Sequence, residues 1–418
     1  MYCKVCLYHT RKNMYTKQDI LDYVEEQNVT FIRLAYFDIF GKQKNISILP
    51  RELKRAFEEG ISFDASAIDG FCQDVHSDLF LVPNPNTMAV LPWRSLDGLV
   101  LRMYCDIQYP DGSPFELDTR YLLKKAMEKV NKKGYQIEIG SEFEFYLFLA
   151  DETGNNTYIP LDNAGYMDIA PEDGGEDVRK NICLTLEEMG LYPEASHHEE
   201  GPGQNEIDFL HSNPLRSADD AATFKWVVKT TAKANGLVAD FSPKPLKVES
   251  GNGMHINISI SDKNSKTDLT KPFMAGILRR LAEISLFLNP SPKSYERLGS
   301  FKAPGYVSWS IQNRSQAIRI PATRNQTKRI ELRSPDCLAN PYLAYLLVIE
   351  AGLEGIQDNL EPQPSIDVNL FEAGEEILSI IQPLPHNIQE ASKLAKSSDF
   401  VKRILPEAIW QAYLTIQE

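Results

Sequence analysis

The segment Gly140-Ser-Glu-Phe-Glu-Phe-Tyr-Leu-Phe constrains the fold more than any other part of the chain. In a β-strand, residues two apart face the same side, so Glu142 and Glu144 project together, roughly 7 Å apart. Phe143 and Phe145 then occupy the opposite face, toward a core. A solvated sheet face could carry the same acidic pair, so its chemistry depends on what accompanies it.

Three further segments accompany it. His197-His198-Glu199-Glu200-Gly-Pro-Gly-Gln-Asn-Glu206 gathers glutamates and histidines around a Gly-Pro-Gly turn, which lets two carboxylates converge. In Gly253-Met-His255-Ile-Asn257-Ile-Ser259 the alternation places His255, Asn257 and Ser259 on one strand face. His255 could equally be a satisfied core histidine. In Arg329-Ile-Glu331-Leu-Arg333 the charged residues share one face and Ile330 and Leu332 the other, with Arg314 and Arg319 just upstream. A surface salt-bridge ladder would look the same and contribute little.

Together these motifs offer five carboxylates (Glu142, Glu144, Glu199, Glu206 and Glu331) and His255. Hard oxygen ligands suit Mg²⁺ or Mn²⁺ rather than a sulfur-rich zinc site. Arginine forks beside them suit phosphoryl transfer, because guanidinium matches phosphate geometry. No Walker A sequence and no GxGxxG occurs, which disfavours P-loop and Rossmann nucleotide sites. The residues alone imply a metal-dependent enzyme handling a phosphorylated compound.

Composition narrows the partners. A net charge of −14 argues against nucleic acid, whose binders normally present a basic face. No apolar run approaches the roughly 20 residues of a bilayer span, and the start MYCKVCLYHTRKN lacks a signal-peptide core. A cytoplasmic location with no membrane partner is the expectation. The six cysteines are scattered, and Cys3-Lys4-Val5-Cys6 has no second pair.

At 418 residues the chain exceeds what one core usually serves. Residues 1–13 read as an extension that need not be ordered. Strands are expected at 30–40 and 98–107, and the turn-rich Tyr109–Glu116 reads as a linker. Beyond it, helices are expected from Thr119, from Ser217 to Gly236, over 273–289 and over 341–359. Strands are expected at 135–149, 253–260, 306–312, 316–321 and 329–333. The class is α+β, with an N-terminal domain over 14–112 and a catalytic domain over 113–418.

These same residues resemble class I glutamine synthetases from about Met14 almost to the C-terminus. FDASAIDGF (63–71), SDLFLVPNPNT (77–87), GSEFEFYLF, GYMDIAPED (165–173), EASHHEEGPGQNEIDF (194–209), GNGMH (251–255), NRSQAIRIP (313–321) and KRIELRSPDCLANPYL (328–343) carry the likeness in the family's order. The resemblance implies a small N-terminal β-grasp-like domain and a larger catalytic domain with a curved antiparallel sheet flanked by helices. It implies ATP-dependent ligation of glutamate and ammonia through γ-glutamyl phosphate, with two or more Mg²⁺ (or Mn²⁺) per site.

By the same resemblance, Glu144, Glu199 and Glu206 hold one metal, and Glu142, His255 and Glu331 the other. Glu194, Asn257, Ser259, Arg314, Arg319 and Arg329 match nucleotide-binding positions. Gly251, Arg297 and Arg333, with Glu144 and Glu199, match glutamate-binding positions. Asp64 and Tyr166 match the ammonium pocket, and Asp64, Arg314 and Lys302 stand at catalytic positions. Asp64 is lent by a neighbouring subunit in the family, which implies a homo-oligomeric ring, hexamer or dodecamer.

The chain departs from the family at the flap. Arg297-Leu-Gly-Ser-Phe-Lys302-Ala-Pro is one residue shorter and carries lysine where a glutamate is expected. At roughly 6 Å and an effective dielectric near 20, one unit charge is worth about 2–3 kcal/mol. An inward Lys302 would therefore oppose an ammonium cation, unless the long side chain turns to water. Ser250, Lys293, Ala65 and Ala67 are milder changes, and the shorter C-terminal tail brings a single hexameric ring into play. The departures keep open a γ-glutamyl-amine ligase using a larger amine, or a catalytically weak regulatory paralogue.

Overall fold

The computed structural model describes residues 14–71, 77–94, 98–323 and 328–416. The expected extension 1–13 and the Cys3/Cys6 pair lie outside these. The described residues divide into two compact units, one of those up to 122 with 182–192, the other of 123–181 with those from 193 on.

The first unit is built on a six-stranded mixed sheet. Its strands are β1 (Val29–Phe37), β2 (Gln43–Ile48), β3 (Ile61–Asp64), β4 (Asp78–Pro83), β5 (Ala89–Val90) and β6 (Leu99–Gln108). The order is β2-β1-β6-β4-β3, with β5 against β6. β1 and β2 form an antiparallel hairpin, and Gly41 takes the turn's positive φ of 79°. Ile32 and Leu34 of β1 pack with Leu79, Leu81, Leu101 and Met103, all fully buried. The expected strands at 30–40 and 98–107 are β1 and β6.

The second unit carries a nine-stranded sheet in the order β13-β14-β15-β12-β7-β10-β9, with β8 and β11 also on β7. The strands are β7 (Tyr135–Ala150), β8 (Asn156–Pro160), β9 (Pro193–His198), β10 (Gln204–Phe209), β11 (Leu237–Asp240), β12 (Met254–Asp262), β13 (Trp309–Ile311), β14 (Ile318–Ile320) and β15 (Ile330–Leu332). One face of β7 presents Phe143 and Phe145, 1% and 0% exposed, as alternation requires. The helix Pro214–Ala234 covers it, with the Phe224 ring centroid 5.1 Å from that of Phe143. The helix Pro341–Gln357 covers it too, where Ser141 Oγ and Tyr345 Oη lie 2.6 Å apart.

The helix expected from Ser217 starts three residues earlier, at Pro214. Asn213 caps it, accepting from Leu215 N at 3.0 Å, and proline at N1 has no N–H to leave unpaired. The segment read as converging on a Gly-Pro-Gly turn is a β9–β10 hairpin, and the helices Glu176–Glu188 and Ile388–Ser397 were not anticipated. The α+β class and the β-sheet-plus-helix catalytic architecture hold.

Candidate functional site

The site is a lattice set by strand register on the sheet face opposite the phenylalanines. Glu144 of β7 stands directly across from Glu206 of β10, and Glu142 across from Asp208. Glu206 stands in turn across from His197 of β9. On the other side of β7, Glu142 faces His255 of β12, Asn257 faces Glu331 of β15, and Glu331 faces Arg319 of β14. Directly opposed side chains lie about 5 Å apart at Cβ, so six strands bring these groups together although they span nearly two hundred positions.

The ligand atoms of Glu142, Glu206 and His255 lie within 4.8 Å of one another, and so do those of His197, Glu199 and Glu206. Glu206 is thus common to both groups. His255 Nδ1 is 3.2 Å from Glu142 Oε2, and Asn257 Nδ2 donates to Glu142 Oε1 at 2.7 Å. Glu144 Oε2 accepts from Gly253 N at 2.5 Å. Glu331, fully buried, is held between the Arg319 guanidinium and Arg333 Nη1, the latter at 2.6 Å.

Burial and mutual repulsion set the electrostatics. Burial, then the Glu144 charge, pushes Glu199 up to about 8. The same two causes drive Glu206 well above the usual carboxylate range, and burial with the Glu142 charge raises Asp208 to about 7. Burial also acts on Glu142, but hydrogen bonds from His255 and Asn257 outweigh it and hold its carboxyl down at about 2. Acids crowded until they favour their protons could hold a cation, since a divalent ion would offset the repulsion. One oxygen of Asp208, Asn257 Oδ1 and Arg329 Nε are buried without a partner, polar atoms left for something that is not protein.

Most of these groups, though not Asn257 or Glu331, line a cavity of ≈ 470 Å³. Its lining includes the acids Glu142, Glu144, Glu199 and Glu206 with His255, and the arginines Arg297, Arg314, Arg319, Arg329 and Arg333. Gly251, Tyr166 and Lys302 also border it. Arg297 is buried, donating to Ser334 O at 2.9 Å and Arg333 O at 3.2 Å. Asn257 sits behind Glu142 rather than on the wall. Ser259 borders a second cavity of ≈ 370 Å³ with Glu138, Asp268 and Lys328. Glu194 is exposed on β9. Asp64, in the first unit, is exposed and accepts from Ser66 N at 2.9 Å, which with the Ser66 and Ser77 hydroxyls lowers its pKa.

A buried dyad props the loop that carries Glu199. His198 is fully buried; its Nδ1 lies 2.7 Å from Glu199 O and its Nε2 2.9 Å from Asp162 Oδ1. The same Asp162 oxygen accepts from Gly203 N at 2.9 Å. Asp173 nearby is taken up by Arg179 at 2.5 Å.

Asp208 on the cavity wall escaped the sequence reading, and His197 and Glu200, though within the quoted motif, were given no role. Asp208 lies two positions beyond Glu206 on β10, so strand periodicity would have found it. Glu200 lies in the loop after β9, where no periodicity operates. Lys302 neither reaches into the acid lattice nor turns wholly to water; it forms an ion pair with Glu200 and is 51% exposed.

Comparison with known proteins is consistent along the whole chain. Residues 28–110 match the model of the glutamine synthetase beta-Grasp domain, and residues 116–418 that of the glutamine synthetase catalytic domain. The glutamine synthetase of Clostridium saccharobutylicum is 42% identical over 414 residues, covering 96% of this chain and 94% of that protein. That of Methanosarcina mazei is 42% identical over 421 residues, covering 97% and 94%. Among solved structures, a GmaS/ADP complex superimposes with a TM-score of 0.85 at 26% identity, covering 95% of this chain and 94% of that one. A Plasmodium falciparum glutamine synthetase, at 24% identity, shares the fold with a TM-score of 0.83, covering 96% and 95%. With the lattice of acids, the cavity's arginines and both domain matches in one chain, this protein belongs to the glutamine synthetase family.

Proposed function

We propose that the chain ligates ammonia to the γ-carboxylate of glutamate at the expense of ATP, yielding glutamine, ADP and phosphate. The observation that carries this is one cavity lined by both the acid lattice and five arginines, in a chain 42% identical to named glutamine synthetases over nearly its full length.

The donor set fits divalent ions of the Mg²⁺ or Mn²⁺ class, being oxygen-rich with one imidazole in each of the two overlapping groups Glu142/Glu206/His255 and His197/Glu199/Glu206. Glu144, Glu199 and Glu206 would hold one ion and Glu142, His255 and Glu331 the other. Bound there, the ions would neutralise phosphate charge as Lewis acids. The remaining work falls to the chain's own residues. Arg314, Arg319 and Arg329 take phosphate oxygens, and Arg319 is already aimed by Glu331. Glu194, Asn257 and Ser259 complete the nucleotide contacts. Gly251, Arg297 and Arg333 form the glutamate end, where the backbone comes close. The γ-carboxylate attacks the γ-phosphorus and ADP leaves; Arg314 stabilises the charge on the transferred group. The amine, after losing a proton to a carboxylate such as Asp64, attacks the acyl carbon and phosphate leaves. Asp64 reaches the site from a neighbouring subunit, so the working assembly is a ring of identical chains.

Glutamate-dependent phosphate release from ATP with Mg²⁺, with ammonia compared against small organic amines, tests the reading. Turnover with ammonia supports it. Turnover with an organic amine alone would make the chain a γ-glutamyl-amine ligase, and silence with every amine would overturn ligase activity altogether.

A further inference from the structure

We infer that the Lys302 ε-ammonium sits in the seat an incoming amine cation must take, so that the chain carries a tethered competitor that sets its affinity for the amine. The inference rests on the amine-ligase reading above.

The backbone aims this side chain. Phe301 and Lys302 both adopt left-handed conformations, with φ of 46° and 67°, uncommon for residues with a Cβ. Hydrogen bonds hold them there: Gly299 N to Ala303 O at 3.1 Å and Ala303 N to Ser300 O at 2.9 Å. Arg333 Nη2 donates to Lys302 O at 3.2 Å, and Lys244 Nζ lies 4.2 Å from the Phe301 ring centroid. The turn is therefore pinned from two sides.

At its tip, Lys302 Nζ forms an ion pair with Glu200 and lies 5.8 Å from the Tyr166 ring centroid. One carboxylate and one aromatic face are what a small ammonium ion needs. Tyr166 packs edge-on against His197, ring centroids 5.4 Å apart, and His197 Nε2 lies 3.3 Å from Glu206 Oε1. The seat is thus one side chain from the acid lattice, on the same cavity wall. Glu200 belongs to the loop after β9, next to Glu199, whose Oε2 accepts from Glu200 N at 2.8 Å. An ammonium ion and the lysine head carry the same charge and the same N–H donors, and they cannot share one carboxylate and one ring face. A half-exposed pair is weak enough to open, so the lysine competes without blocking.

For a pair of that strength, the occupied fraction raises the apparent amine KM about two- to six-fold. Two measurements test this. In the first, the full-length protein is acetylated with limiting acetic anhydride, and Lys302 modification is read by mass spectrometry relative to the exposed Lys54. Ammonium chloride is compared with sodium chloride at equal ionic strength. Lys302 should label about two- to six-fold faster in ammonium, and in Glu200→Gln it should label fast in either salt. In the second, Lys302→Met should lower the ammonium KM about two- to six-fold, with the KM values for glutamate and ATP little changed. An unchanged labelling ratio, or an ammonium KM that stays put or rises in Lys302→Met, overturns the inference while turnover leaves the ligase reading intact. A wild type that labels as expected yet releases no phosphate would sink the ligase reading and leave the seat standing.

Discussion

Gly251 shows how closely backbone is packed at the end of the cavity proposed for glutamate. A Cβ built there would stand 2.3 Å from Pro243 O and 2.8 Å from Arg297 Cγ. The first contact is with backbone, and the second with a side chain held by two carbonyls, so neither can yield cheaply. Gly251→Ala should raise the glutamate KM at least about tenfold, with the ATP KM less affected; equal affinity for glutamate in the variant would remove Gly251 from the site. The alternation of Glu142 with Phe143, and of Glu331 with Ile330, was legible because a strand has period two. What alternation left open was the partner of each charge: Glu331 is locked by Arg319 and Arg333 from adjacent positions in the fold.

The same contrast holds for the elements. Helices Thr270–Leu288 and Pro341–Gln357 announced themselves by apolar spacing, but their crossing did not. A Cβ on Gly276 would meet Ala351 O at 2.1 Å, and one on Gly355 would meet Pro272 O at 2.1 Å. The two backbones touch there, which only glycine allows. Alanine in an open helix would add about 1 kcal/mol, yet Gly276→Ala should cost at least about 2 kcal/mol net, seen as a lower melting temperature. An unchanged or raised value would mean the helices separate freely.

Asp118, at the start of the helix Thr119–Lys132, accepts from Arg120 N at 3.0 Å and Ile107 N at 3.3 Å. Burial, then the Asp106 charge, pushes its pKa from 3.8 to about 6 despite Arg120. An acid that holds its proton more tightly when folded stabilises the fold below pH ~4 and loses that contribution as pH rises through ~6. The loss amounts to about 3 kcal/mol at most. The stability gap between wild type and Asp118→Asn should therefore narrow from pH 4 to 7 by up to that amount, and a constant gap would count against the shifted acid.

At the scale of the whole molecule, the acid lattice predicts a response to divalent cations. Since burial and repulsion make Glu199 and Glu206 costly to ionise, Mg²⁺ or Mn²⁺ at a hundred times its Kd should stabilise the fold by about 2.7 kcal/mol. Chelation should reverse the rise in melting temperature, and a melting temperature indifferent to both ions would exclude the lattice as a metal site. If the site draws Asp64 from a neighbouring copy, Asp64→Ala and Glu206→Gln chains, each inactive alone, should regain part of the activity when co-assembled. No recovery in verified mixed assemblies would confine the site to one chain.

What the sequence by itself determined is the set of local alternations: which residues pair on a face, where helices run, and that acids and arginines recur within the same motifs. Those follow from backbone geometry, which repeats every two residues in a strand and every 3.6 in a helix. The tertiary structure alone decided which faces meet. Strand order places β12 between β7 and β15, and so sets His255 opposite Glu142 and Asn257 opposite Glu331. It also sent Lys302 onto Glu200, a contact across 102 positions that no local periodicity encodes. Long-range register depends on burying every apolar face at once, and that is a property of the folded chain rather than of any one segment.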